Sequence, residues 1–279
     1  MNNPFLPLKP INKQEILKEN GVFNKIILLL LPLLIYEVVD FVVLYFTVFG
    51  AKVLAENNET VSRILVEDSS YISVLSGILA IVAASIIFIP FIRREHPVLI
   101  AGKEPFNHVA LTIALGITAA IFINCLFSLT GITTIGTVYE GIASRQMSLP
   151  IFVGIVFYGI LTPFIEEIVY RLLFFRIALR ELGTVAAFIL SPLIFGLYHG
   201  NIPQALYGIV MGTLITWVYY RFGSFLYPYL FHACANIVIY IIMHNDALNS
   251  IVMKPYMIGI FGGLSLGMIL YIGSLKASD

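Results

Sequence analysis

Charge is scarce in this 279-residue chain: Asp, Glu, Lys and Arg together make up 11% of it. A soluble domain carries about 25%. The shortage excludes an ordinary water-soluble globule. With 59% hydrophobic residues and a mean hydropathy of +0.94, the chain reads as a polytopic membrane protein. Excess charge of one sign is missing too. Sixteen basic and sixteen acidic residues cancel, so nothing in the balance argues for a nucleic-acid partner. Cysteine is nearly absent. Cys125 and Cys234 both lie in apolar runs, so no disulfide framework is expected, and neither has metal-ligand spacing. There is no HExxH helix, no internal repeat, no low-complexity tract and no polar linker. Residues 26–279 therefore read as a single transmembrane domain behind a cytoplasmic N-terminal segment, residues 1–25.

Apolar runs are what the chain has in abundance. Eight of them approach the roughly 20 residues that a bilayer-spanning helix needs. They cover 26–48, 71–91, 108–129, 150–180, 184–198, 202–220, 224–243 and 255–275. The expected fold is an all-α membrane bundle of about eight helices. Lys9, Lys13, Lys18 and Lys25 precede the first run and suit a cytoplasmic lead-in better than a signal peptide. With that end inside, twelve of the sixteen basic residues fall on the inner side. Lys52, Arg63, Arg145 and Lys254 fall on the outer side. The bias predicts that both termini are cytoplasmic. The loop over 51–70 is acidic, with Glu56, Glu59, Glu67 and Asp68. The expected location is a bacterial cell membrane, and the lipid bilayer is the expected surrounding.

One stretch breaks the apolar pattern: Glu166-Glu167-Ile168-Val169-Tyr170-Arg171. Ionised groups among lipid-facing residues are costly and suggest a working site. Pro163 lies just upstream, where it removes a backbone hydrogen bond and predicts a kink. Glu167 and Arg171 are i,i+4 and can pair on one face. Glu166 is turned about 100° away, free to face other helices. Counting from the turn at Leu182-Gly183 puts Glu166 and His199 at matching depth, roughly 20–25 Å from it. Counting from Phe222-Gly223 puts His232 and Asn236 roughly 15–20 Å deep. Phe195 with His199, and His232 with Asn236, are also i,i+4 pairs. The meeting point is expected to open towards the cytoplasm. Glu37 and Asp40 share a face of the first run and are candidates for cavity lining or for binding a polar group on a neighbouring helix. His108 and His244 suit the membrane interface.

These residue types suit peptide hydrolysis by activated water. Glu166 can act as general base. His199 can hold that water or carry its proton. His232 and Asn236 can donate hydrogen bonds to a developing oxyanion. No serine or cysteine stands beside an evident base. The three patterns, Glu166-Glu167-x-x-x-Arg171, Phe195-x-x-x-His199 and His232-x-x-x-Asn236, are complete and in order. They resemble the motifs of the CPBP intramembrane proteases, which include type II CAAX prenyl endopeptidases and proteins of bacteriocin processing and self-immunity. The motifs fall within 162–240; the first 150 residues carry none. The resemblance implies an eight-helix glutamate-type protease acting on a membrane-associated peptide or protein. It implies Glu166, His199, His232 and Asn236 as catalytic residues, with Glu167, Arg171 and Phe195 in support. No cofactor is expected. The alternative is a zinc ion held by Glu166, His199 and His232. Two other readings compete: a non-catalytic immunity or scaffold protein of the same fold, and a proton-coupled transporter. The transporter reading predicts paired broken helices in two related halves, which the sequence lacks.

Overall fold

The structure is a computed structural model, and it describes residues 21–67, 69–100, 105–135 and 137–275. Lys9, Lys13, Lys18, Asp68, Lys103 and Lys276 lie outside the described residues. Among the described residues there are eleven helices and no strand, an all-α bundle. They are α1 (Val22–Ala55), α2 (Glu59–Glu67), α3 (Ser70–Glu95), α4 (Phe106–Thr130), α5 (Thr137–Met147) and α6 (Ile151–Leu182). There follow α7 (Thr184–Leu197), α8 (Ile202–Phe222), α9 (Leu226–Met243), α10 (Asp246–Val252) and α11 (Pro255–Ser274).

Seven helices, α1, α3, α4, α6, α8, α9 and α11, are long and apolar enough to cross a membrane. The fifth expected span, α7, is apolar but has only 14 residues. At about 1.5 Å per residue it is roughly 21 Å long, short of a hydrocarbon core of about 30 Å. The chain then reverses through His199-Gly200-Asn201, with Gly200 at φ 69°. Such an irregular turn at membrane depth is tolerated where it lines a cavity. Asn201 caps α8 by accepting from the Gln204 amide at 3.0 Å.

Helix α6 is the axis of the bundle. Its upstream half packs on α9, and its downstream half on α1 and α7. The helix widens into π-helical turns over Ile155–Leu161 and Ile168–Phe175, with an α-helical turn, Thr162–Glu167, between them. A π turn absorbs the carbonyl that proline leaves without a partner, and such turns recur at functional sites. Ile165, Val169, Leu173 and Phe175 are fully buried around this axis. A second apolar cluster joins α4, α8 and α9 through Leu115, Ile215 and Phe231.

The two ends of the bundle are each tied together. At one end, Arg180 Nη1 donates to both Glu95 oxygens at 2.8 Å, and the Phe225 amide donates to the Val98 carbonyl at 2.9 Å. Arg221 reaches the Ile272 carbonyl at 3.3 Å. At the other end, Ser70 and Ser148 hydroxyls meet at 3.0 Å, and Tyr240 Oη donates to the Gln146 carbonyl at 2.8 Å. Cys125 Sγ donates to the Val252 carbonyl at 3.0 Å. Both cysteines are free thiols. His108 stacks near Phe222 at the first end, and His244 lies against Tyr240 at the second. Arg171, counted above with the inner basic residues, is fully buried inside α6. Without it the bias is eleven against four.

Candidate functional site

The Glu167 and Arg171 side chains are wholly inaccessible, and Arg171 Nη1 donates to Glu167 Oε1 at 2.9 Å. The guanidinium also lies over the Phe195 ring, 4.4 Å from its centroid. Its Nη2 points at the Gly212 carbonyl at 3.5 Å. A planar cation on an aromatic face with a carboxylate at its edge is the arrangement arginine supports and lysine does not.

His232 arrives from α9. Its Nδ1 is 2.8 Å from Glu167 Oε1. The carboxylate can only accept, so Nδ1 carries the proton. Its Nε2 is 3.6 Å from Glu166 Oε2. His232 therefore bridges the two glutamates. The sequence divides them differently, with Glu167 tied to Arg171 alone and His232 left to Glu166. Glu167 in fact serves Arg171 and His232 through the same oxygen, and its Oε2 is buried without a hydrogen-bond partner.

His199 lies in the turn after α7. Its Nδ1 is 2.9 Å from the Phe195 carbonyl, so it must donate, and Nε2 is left with a lone pair. The i,i+4 spacing of Phe195 and His199 thus supplies a backbone anchor as well as an aromatic neighbour. The Phe195 ring meets both imidazoles edge-on, at 5.3 Å from His199 and 5.6 Å from His232. One phenyl ring touches the arginine and both histidines. Asn236 donates from Nδ2 to the Tyr158 carbonyl at 3.1 Å. That carbonyl belongs to the π-helical turn upstream of Pro163. Asn236 keeps a second N–H and its carbonyl oxygen for other partners.

Glu166, His199, His232 and Asn236 line one cavity of about 280 Å³. Its remaining wall is neutral, with Tyr158, Tyr207 and Met211 from the spans and Tyr139 and Gln146 from α5. Tyr139 lies outside the spans, and burial raises its phenol pKa above the ordinary value. The cavity sits towards the end of the bundle that holds α5 and the start of α8, away from the Arg180–Glu95 end. Depth counting alone does not say which end of a helix bundle is hollow. Glu37 and Asp40 are not among the cavity-lining residues. Glu37 is exposed and Asp40 half-buried on α1. Their neighbour Tyr36 packs against Tyr198 at 6.0 Å instead.

The zinc alternative asks Glu166, His199 and His232 to converge on one point. Among the described residues, no three His, Cys, Asp or Glu side chains are placed to hold a metal ion.

The sequence reading missed the glycine seam between α7 and α8. A Cβ on Gly196 would lie 2.4 Å from the Ala205 carbonyl oxygen and 2.9 Å from the Ile209 amide nitrogen. A Cβ on Gly212 would lie 3.0 Å from Phe195 and 3.4 Å from Arg171 Nη2. The Gly208-x-x-x-Gly212 spacing is the available signal for close helix approach. Gly196→Ala is expected to push α7 from α8 and lose about 1–3 kcal/mol through overpacking. His199, three residues on, moves with it. Gly263→Ala on α11, with open space around the added carbon, is the neutral control. Thermal unfolding in detergent reads both.

Residues 148–238 match the family model described as Type II CAAX prenyl endopeptidase Rce1-like. The matched stretch holds all three motifs and agrees with the resemblance they carry. Comparison with curated proteins and with solved structures gives no match.

Proposed function

With residues 148–238 Rce1-like, we propose that this chain is an intramembrane endopeptidase that hydrolyses a peptide bond of a membrane-associated substrate with glutamate-activated water. The observation that carries the reading is the shared cavity. Four side chains from α6, α9 and the turn after α7 line one space of about 280 Å³. In this scheme Glu166 takes a proton from water, and the resulting hydroxide attacks the scissile carbonyl. His199 has its lone pair on Nε2 and can accept from the same water or pass a proton to the leaving amine. Asn236 offers the oxyanion its unused N–H. His232, when protonated, donates from Nε2 into the cavity while Nδ1 stays on Glu167. Glu167 and Arg171 touch no substrate; they hold His232 in register, and Phe195 packs the pieces together.

The test compares membrane peptides in cells that carry the wild-type chain with those carrying Glu166→Gln. A precursor that accumulates only with the variant supports the reading. Identical peptide profiles would instead favour the non-catalytic scaffold. For the metal question, activity of the purified protein is expected to be unchanged by a strong chelator, and zinc content is expected to be far below one ion per chain. Stoichiometric zinc with loss of activity on chelation overturns the metal-free scheme.

A further inference from the structure

The cavity belongs to one end of the bundle. The helices alternate in direction, so each connection can be assigned to an end. Tyr139 and Gln146 lie on α5, which joins the far end of α4 to the start of α6. Gln204 is in the first turn of α8, and Met243 is the last residue of α9. All four line the cavity, and all are at the end tied by Ser70–Ser148 and Tyr240–Gln146. The opposite end closes over Arg180–Glu95 and the Val98–Phe225 contact.

Charge identifies which end is which. The closed end carries Lys25, Arg93, Arg94, Arg176, Arg180 and Arg221. The cavity end carries Lys52, Arg63, Arg145 and Lys254. Basic residues close to span ends mark the cytoplasmic side. The cavity end is therefore the outer one.

We infer that the site takes its substrate from the outer face of the membrane: a membrane-borne peptide whose scissile bond is presented after export, with neutral or apolar residues beside it. The neutral wall of tyrosines, glutamines and methionines suits such a segment better than a charged one. This inference rests on the endopeptidase reading for its chemistry, but the side of access is tested without catalysis. In a chain with Cys125 and Cys234 replaced by alanine, single cysteines are placed at Ser144 (exposed on α5), Ala143 (in the cavity wall) and Arg94 (at the closed end). A membrane-impermeant maleimide is added to intact cells, and label in detergent sets the full value. Ser144→Cys and Ala143→Cys are expected to label in intact cells to more than half of that value. Arg94→Cys is expected to label below a tenth until the membrane is permeabilised. The reverse pattern, or protection of both α5 positions in intact cells, overturns the outer-face inference and leaves the endopeptidase reading standing. Loss of that reading is scored separately, by unchanged cleavage in Glu166→Gln.

Discussion

Glu166→Gln is expected to reduce cleavage at least 100-fold while leaving the fold intact. General-base proton transfer contributes about 10²–10⁴ in rate, and here the same group also makes the nucleophile. Glutamine keeps the shape and can still hydrogen-bond a water, but it cannot take the proton. The structure gives Glu166 no tight partner to lose. Its nearest ionic contact is His232 Nε2 at 3.6 Å, so stability should change by no more than about 1 kcal/mol. A cleavage assay on purified protein, with thermal unfolding of the same samples, separates chemistry from folding. A variant that unfolds at the wild-type temperature and cleaves within threefold of the wild-type rate would remove Glu166 from the mechanism.

Arg171→Met gives the largest expected loss of stability. Both ends of its ion pair are fully buried. Removing one partner strands the other charge, which costs about 3–5 kcal/mol. The aromatic face of Phe195 and the Gly212 carbonyl lose their cation as well. Replacing both members removes the stranded charge. Glu167→Gln with Arg171→Met should therefore recover most of the stability lost by Arg171→Met, since a buried pair is often near neutral against a well-packed substitute. Activity should stay low in the double variant, because His232 Nδ1 no longer has a carboxylate at 2.8 Å. Recovery of stability without recovery of rate identifies Glu167 as a positioning residue. A double variant as unstable as the sum of the singles would show that the charges do not act as a pair.

The membrane helices were legible because hydropathy and length report burial in lipid directly. The short helices were not. The stretch over 51–70 reads as an acidic loop, yet Glu59–Glu67 is helical. Thr137–Met147 has little net hydrophobicity, and it is held as a cavity wall by long-range tethers, Tyr240 to the Gln146 carbonyl and Ser70 to the Arg145 carbonyl, that no local pattern announces. In the site, spacing within one helix was reliable: Glu167–Arg171 and Phe195–His199 both make the contacts that i,i+4 geometry allows. Pairing between helices was not. Which glutamate meets His232 depends on how α9 is rotated against α6, and no count along either helix fixes that angle. The π-helical turns of α6 change the azimuth further, and proline in the sequence announces a break without saying how the backbone absorbs it.

The distribution of partners along the chain also bears on assembly. A charged side chain at the centre of an inserting helix costs about 2.5–3.5 kcal/mol. Arg171 and Glu167 lie one turn apart in α6, so their pair closes as soon as that helix forms, before any later span has been made. The segment can then cross into the bilayer with two of the three charges in its Glu166–Arg171 stretch already neutralised. His232 is 65 residues further along and reaches Glu167 only when α9 has been delivered. Biogenesis and chemistry are thus separated in time on one carboxylate: it first lets its helix insert, and later orients the histidine.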